Sequence, residues 1–148
     1  MTEVIMGNVL ELYISKSKEA EREPLPEAVF VSSEGVEGDD LNRGRTHAVS
    51  LLAKESRDRI AAIGIEGLCT RRFYANIVTE GVSLFDMPLG TRFKIGDARF
   101  AVTQVGKPCF KDCDIYRSAY DCVLHKEAVF ADILEGSTVH VGDEIIIE

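Results

Sequence analysis

The chain has 148 residues, 45% of them apolar, and a formal net charge of −8 because 25 acidic residues outnumber 17 basic ones. This size and hydrophobicity are typical of one compact domain with a buried core, so we expect a single domain over residues 1–148. The acidic balance argues against non-specific binding to nucleic acid or to an anionic membrane surface.

The first thirty residues contain neither a basic start followed by a long apolar run nor a stretch able to span a bilayer. We therefore expect no membrane association and a cytoplasmic location. Reducing conditions there disfavour disulfides. The four cysteines, at positions 69, 109, 113 and 122, are expected to be core thiols, metal ligands or reactive groups.

The first half of the chain is predicted to consist of short strands, polar loops and one helix. Apolar residues between positions 4 and 14 indicate one or two strands, the charged KSKEAEREPLPE a loop, and AVFVS a further strand. The glycine-rich SEGVEGDDLNRGRT is predicted to be a long loop. HAVSLLA indicates a buried strand that leads into a helix, KESRDRIAAI, in which Glu55 and Arg59 lie one turn apart and which Gly64 ends.

The second half of the chain contains two hairpin signals. Gly96-Asp97 separates two alternating stretches in TRFKIGDARFAVTQV, and Gly142-Asp143 does the same in STVHVGDEIIIE. Between them, AVFADILE is predicted to be a short amphipathic helix. Many short strands with glycine turns indicate a mainly β fold, a closed β-barrel with a few short helices.

The sequence GKPC places Cys109 directly after the predicted strand FAVTQV, at a position expected to face a cleft. Lys107 would favour the thiolate form, which is both the nucleophile and the metal ligand. Pro108 would stiffen the approach to it. The alternative is a half-buried thiol without chemical function.

Cys109, Cys113 and Cys122 have the spacing C-x3-C-x8-C, which His125 extends by C-x2-H. These ligand types suit zinc, although the spacing is not that of a common zinc finger. A structural zinc site is therefore an alternative. Cys69, far away in sequence, is expected to be a small packed side chain.

Two stretches contain the residue types of an anion site. Glycines and arginines in GVEGDDLNRGRTH allow a turn that cradles a phosphate, and CTRRFYANI adds two adjacent arginines near an asparagine. The alternative is a solvated charged loop. The candidate ligand-binding residues are Arg43, Arg45, His47, Arg71, Arg72, Asn76 and Thr103.

Taken together, GVEGDD, HAVSLLAKES, RRFYANIVTEGVSL, LGTRFKIGDARFAVTQVGKPCFKDCDIY, DCVLHKEAVFADIL and VGDEIII resemble the MOSC domain, the molybdenum cofactor sulfurase C-terminal module, and in particular its small stand-alone bacterial type. The resemblance runs from about Gly7 to the C-terminus. It departs from the usual pattern at Leu41 and Ala75, where a histidine and a glutamate are usual, so any acid/base role is not carried over.

The resemblance implies a β-barrel of the pyruvate kinase type and a ligand, the molybdenum cofactor. It implies that Cys109 carries sulfur or coordinates molybdenum, as a soft thiolate suits a sulfur-bound metal. Cys113 and Cys122 would be auxiliary thiols or metal ligands, and the arginines would contact the phosphate.

The expected partners are molybdenum cofactor biosynthesis or sulfur-donor proteins. A carrier role is favoured over a self-sufficient enzyme because reduction at molybdenum needs electron-transfer partners. A cofactor-free barrel is the remaining alternative, and a monomer is the default.

Overall fold

The computed structural model describes residues 4–14, 23–32, 34–39, 49–63, 75–106 and 127–148. The described strands are β1 (Val4–Ile14), β2 (Glu23–Leu25), β3 (Glu27–Val31), β4 (Gly35–Val36), β5 (Val49–Ala53), β6 (Ile77–Glu80), β7 (Arg92–Ile95), β8 (Ala98–Val105), β9 (Val129–Glu135), β10 (Ser137–His140) and β11 (Glu144–Ile147). Helix α1 (Lys54–Ile63) follows β5, and a single 3-10 turn covers Leu84–Asp86.

Seven of these strands form a closed barrel in the order β11-β7-β8-β9-β5-β6-β1, and the pairing of β1 with β11 completes the ring. Closure depends on the length of β1, which pairs with β11 through its first residues and with β6 through its later ones. A bulge lies between Ile5 and Gly7. At Gly7 a side chain would overlap the carbonyl oxygen of Glu80, so this crossing requires glycine. Bulges of this kind bend a strand from one neighbour to the next.

One pair in the barrel is parallel. β5 and β6 run in the same direction and are joined through α1, as a parallel connection requires a crossover. The remaining barrel pairs are antiparallel. A separate sheet has the order β10-β3-β4, and β2 pairs with the end of β1.

The core is apolar and aromatic. Phe100 of β8 stacks on Phe93 of β7 with ring centroids 5.1 Å apart, and Phe30 of β3 contacts it edge-on at 5.4 Å. All three rings are at most 1% exposed. Because Phe30 belongs to the three-stranded sheet, that sheet and the barrel share one hydrophobic core.

The predicted mainly β barrel is confirmed. The bounds of α1 coincide with KESRDRIAAI, and the hairpin at Gly96-Asp97 is present as β7 and β8. Gly96 has a φ of 59°, the left-handed conformation that a two-residue hairpin turn needs. Among the described residues, no helix is long and apolar enough to cross a membrane.

The helix predicted for AVFADILE is wrong, because these residues form β9. Val129, Ala131 and Ile133 are buried in alternation, as in a strand with one face in the core. Phe130 and Leu134 lie on the opposite face, and their spacing of four gave the sequence its helix-like pattern.

The prediction of a second hairpin, at Gly142-Asp143, is also wrong. β10 pairs with β3, whereas β11 pairs with β7 and β1. The turn itself is bound by β1: Gly142 N–H donates to Val9 O at 2.8 Å, and Val9 N–H donates to Asp143 O at 2.9 Å. The chain therefore passes at this turn from the three-stranded sheet into the barrel.

Two predicted loops contain short strands. β2 lies within the stretch KSKEAEREPLPE, and β4 lies within SEGVEGDDLNRGRT. Glu55 and Arg59 have different partners in the structure: Glu55 accepts a hydrogen bond from Gly81 N–H at 2.8 Å, and Arg59 contacts Glu127.

Candidate functional site

Most of the predicted site residues lie outside the described residues. They fall in three segments, 40–48, 64–74 and 107–126. The predicted residues in these segments are Arg43, Arg45, His47, Cys69, Arg71, Arg72, Lys107, Cys109, Cys113, Cys122 and His125. Asn76 and Thr103 are described, and so are the residues that border each segment.

Asn76 is the centre of a buried hydrogen-bond network, the Asn76 network, which also contains Asp39, Ser50 and Tyr13. The Asn76 Oδ1 atom accepts from Ser50 N–H at 3.1 Å and from Ser50 Oγ at 3.2 Å. Its Nδ2 atom donates to Tyr13 O at 3.2 Å and to Asp39 Oδ2 at 3.3 Å. Asp39, Ser50 and Asn76 are each at most 1% exposed.

The backbone of Asn76 takes part in the same network. Its N–H donates to Ser50 Oγ at 3.1 Å, and its carbonyl oxygen accepts from Tyr13 N–H at 2.9 Å. The residue is thereby attached to β1, to β5 and to the end of the 34–39 stretch. Buried polar groups need such partners, and no buried side-chain nitrogen or oxygen among the described residues lacks one.

The Asn76 network joins the borders of two arginine-bearing segments. Asp39 directly precedes segment 40–48, and Ser50 is the second residue after it. Asn76 is the second residue after segment 64–74. The structure therefore brings the described residues on both sides of segment 40–48 together with Asn76, which follows segment 64–74.

The borders of the cysteine segment, 107–126, are also close to each other. Gly106 N–H donates to Ala128 O at 2.6 Å, and the side chain of Gln104 donates to Gly106 O at 2.8 Å. Gln104, Phe130 and Ser50 are register partners on three neighbouring strands, β8, β9 and β5. Segment 107–126 thus begins three residues after Gln104, whose register partner Phe130 pairs in turn with Ser50.

A second polar cluster connects α1 to the far end of the cysteine segment. Glu127 follows that segment directly, and its carboxylate accepts from Ser56 Oγ at 2.6 Å and contacts Arg59. Arg59 also donates to Ser56 Oγ at 3.2 Å, and its guanidinium lies 5.9 Å from the centre of the Phe85 ring. The Glu127 side chain is 12% exposed. This shielding strengthens the contact relative to a surface ion pair.

Thr103 lies at a bulge of β8, between Val102 and Gln104, and its hydroxyl donates to Phe130 O at 3.2 Å. Among the described residues, no group of three His, Cys, Asp or Glu side chains is placed to hold a metal ion. The zinc alternative concerns residues in segment 107–126 and stays a prediction.

Sequence reasoning did not identify Ser50 or Glu127. Ser50 is a polar residue within the buried stretch VSLLA, a signal that a buried hydrogen bond is present. Glu127 gave no comparable local signal, because its partners lie 71 and 68 positions away in α1.

Comparison with solved structures shows the same fold. The YuaD protein from Bacillus subtilis superposes with a TM-score of 0.72 at 17% identity, covering 99% of this chain and 97% of that one. YiiM from Escherichia coli gives 0.62 at 16% identity, covering 95% and 69%. YiiM from Geobacillus stearothermophilus gives 0.58 at 16%, covering 99% and 75%. No curated protein sequence matches the chain significantly.

A family model described as the MOSC domain matches residues 38–146, a range that includes the Asn76 network and the cysteine segment. The match begins one residue before Asp39 and ends within β11, so it covers most of the barrel. The chain belongs to the MOSC domain family.

Proposed function

We propose that this protein binds the molybdenum cofactor, or a related anionic species with sulfur-bound metal, and that Cys109 is its thiolate ligand or persulfide carrier. Lys107 would favour the thiolate, and Cys113 and Cys122 would serve as auxiliary thiols or further metal ligands. The proposal rests on membership of the MOSC family and on one observation: the hydrogen bonds of Asn76 to Asp39 and Ser50.

That observation matters because it constrains where two arginine pairs begin. Arg43 and Arg45 lie between Asp39 and Ser50, and Arg71 and Arg72 lie shortly before Asn76. Since Asn76 is hydrogen-bonded to Asp39 and to Ser50, the segments that contain the two pairs are attached to the fold at neighbouring described residues. Guanidinium groups suit a phosphate, because each can donate two parallel hydrogen bonds to its oxygens.

The position of the cysteine agrees with this. Cys109 is three residues beyond Gly106, a distance that an extended chain spans in about 10 Å. Three strand spacings of about 4.8 Å separate β8 from β6 along the curved wall. The proposal is therefore that the cysteine and the arginines hold the two ends of one ligand.

The residue types fit the group. A thiolate is a soft ligand that suits molybdenum already bound by sulfur, and arginine suits the terminal phosphate. When bound, the cofactor would supply metal redox and sulfur-exchange chemistry. The chain itself would bind the phosphate, hold the thiol and shield it from water. A carrier role in the cytoplasm, serving sulfur-donor or cofactor biosynthesis proteins, needs no turnover.

The test is elemental analysis of the protein purified without a metal-affinity tag from a host that makes the molybdenum cofactor. We expect close to one molybdenum per chain, lost in Cys109→Ala and retained in Cys69→Ala. The second variant is the matched control because it also removes one thiol. The rate of alkylation at Cys109, followed by mass spectrometry, should exceed that of a free thiol of ordinary pKa.

Two results would contradict the proposal. Zinc in place of molybdenum, with Cys109→Ala unfolding the protein, would assign the cysteines to a structural metal site, because structural zinc supplies folding energy. Absence of both metals, together with a thiol of ordinary reactivity, would identify a barrel without a cofactor.

A further inference from the structure

The carboxamide of Asn76 has no amide hydrogen left for a ligand. Asparagine carries two N–H donors and an oxygen that accepts two hydrogen bonds. Both donors are used within the protein, by Tyr13 O and Asp39 Oδ2, and the oxygen accepts twice from Ser50. A direct contact between Asn76 Nδ2 and a ligand would therefore require one of these buried bonds to break.

Breaking either donor bond is unfavourable at this position. Asp39 is 0% exposed, so water cannot replace the hydrogen bond that its carboxylate accepts from Asn76. The carbonyl of Tyr13 belongs to a backbone that already pairs with Asn76 through Tyr13 N–H at 2.9 Å. The side chain of Asn76 is thus held between two acceptors and a serine, in one orientation.

From this we infer that Asn76 is a positioning residue, which fixes Asp39 at the end of the 34–39 stretch and contributes to ligand binding through Asp39. The inference rests on the proposed function for its ligand. It differs from the sequence-based prediction, in which Asn76 donates to the ligand directly. It also gives the buried carboxylate of Asp39 a role: the carboxylate accepts the hydrogen bond that aligns the 34–39 stretch with β6.

An exchange of the two side chains tests the inference. Asn76→Asp keeps the oxygen that accepts from Ser50 but removes both donors, and it places a carboxylate against that of Asp39. Asp39→Asn in the same chain restores a donor between positions 39 and 76. The contact with Tyr13 O is not restored, so we expect the double variant to recover in part.

The first readout is hydrogen exchange, which does not depend on any cofactor. The backbone N–H of Asp39 donates to Val36 O at 3.0 Å. In Asn76→Asp its exchange should become about tenfold faster, the effect of losing hydrogen bonds worth roughly 1.4 kcal/mol. The N–H of Glu34, bonded to Val31 O at 3.1 Å, should change little. The double variant should return Asp39 to within about threefold of the wild-type rate.

The second readout is molybdenum per chain in the same three proteins. If Asn76 acts by positioning Asp39, the molybdenum content per chain falls in Asn76→Asp. It rises again in the double variant, together with the protection of the Asp39 N–H from exchange. If Asn76 touches the ligand, protection recovers but molybdenum does not, because an aspartate at position 76 repels an anion; that result overturns the inference. Thr79→Val, a buried polar change on β6, the strand that begins directly after Asn76, is the matched control and should alter neither readout.

Failure of the proposed function is recognised separately. A wild-type protein without molybdenum contradicts the proposed function alone. The inference is then decided by exchange at Asp39: recovery in the double variant supports the coupling between positions 39 and 76, and an unchanged fast rate in the double variant overturns it.

Discussion

The interior of the barrel and the Asn76 network lie on opposite faces of the same strands and are held by different forces. Leu51 and Ile77 belong to the apolar core, whereas Ser50 and Asn76, the residues before them, form buried hydrogen bonds on the other face. Apolar packing is non-directional and tolerates changes that conserve volume. A buried hydrogen-bond network tolerates no change that leaves a donor or acceptor unpaired. The same two strands therefore provide a robust scaffold on one face and a sensitive site on the other.

The largest effect is expected in the interior, at Phe100. Its ring contacts both Phe93 and Phe30, so Phe100→Ala removes an aromatic contact between the barrel and the three-stranded sheet. We expect a loss of about 3–5 kcal/mol in the free energy of unfolding, measured by urea denaturation. Leu89→Ala, at a side chain that is 65% exposed, should change it by less than about 0.5 kcal/mol. A loss below about 1 kcal/mol at Phe100 would mean that the two sheets do not share a core.

Two substitutions, one in the Asn76 network and one in the apolar core, test the difference between the two faces. Asn76→Leu keeps the branched shape of the side chain but removes the hydrogen bonds that Asn76 makes with the Asp39 carboxylate and the Ser50 N–H, at an expected cost of about 2–3 kcal/mol. Leu51→Met, one strand away in the core, should cost less than about 1.5 kcal/mol. Thermal and urea unfolding of both variants measure the difference, and equal costs would refute the distinction between the faces.

A smaller effect is expected where α1 meets Glu127. Arg59→Ala removes the contact with Glu127 and the cation–π contact with Phe85, and should cost about 1 kcal/mol of unfolding free energy because the arginine is partly exposed. The cost should shrink when the ionic strength rises, since salt screens the exposed part of the contact. If the difference in unfolding free energy between the wild type and Arg59→Ala does not change with ionic strength, the contact makes no electrostatic contribution.

The smallest effect is expected at Lys54, on the same helix. Its hydrogen bond to Asp58, 2.7 Å long, and the charge of Asp58 raise the pKa of Lys54 above its ordinary 10.5. A raised lysine pKa means that the folded state gains stability below pH 10.5 and loses that gain as the pH rises through the folded pKa. The pair is solvent-exposed, so Lys54→Ala should leave the unfolding midpoint at pH 7 unchanged within error. A clear drop of the unfolding midpoint at pH 7 would show that the Lys54–Asp58 pair stabilises the fold more than an exposed ion pair does.

Several features followed from the sequence because they depend on neighbouring residues. The helix KESRDRIAAI and the hairpin at Gly96-Asp97 are local structures, set by composition and by a turn that needs glycine. The barrel class followed from the number of short strands with glycine turns, and from the family resemblance. The strand predicted for FAVTQV was likewise local: β8 ends at Val105, and Gly106 N–H donates to Ala128 O.

Two wrong predictions show where local reasoning failed. AVFADILE has helix-like spacing in its own sequence, but Ala131 finds its pairing partners in Val49 and Val102 of two other strands. STVHVGDEIIIE has a hairpin turn at Gly142, but β1 binds that turn and separates β10 from β11. In both cases long-range strand pairing outweighed a local preference.

The Asn76 network shows the same division within the candidate site. The sequence by itself supplied the candidates for an anion or metal site, namely the cysteines, the arginines and an asparagine, chosen by chemistry and spacing. Only the tertiary structure decided that Asn76 would meet Ser50, Asp39 and Tyr13, which lie 26, 37 and 63 positions away. The physical reason is that such bonds form between groups buried together when the barrel closes, and closure depends on partners that no local pattern specifies.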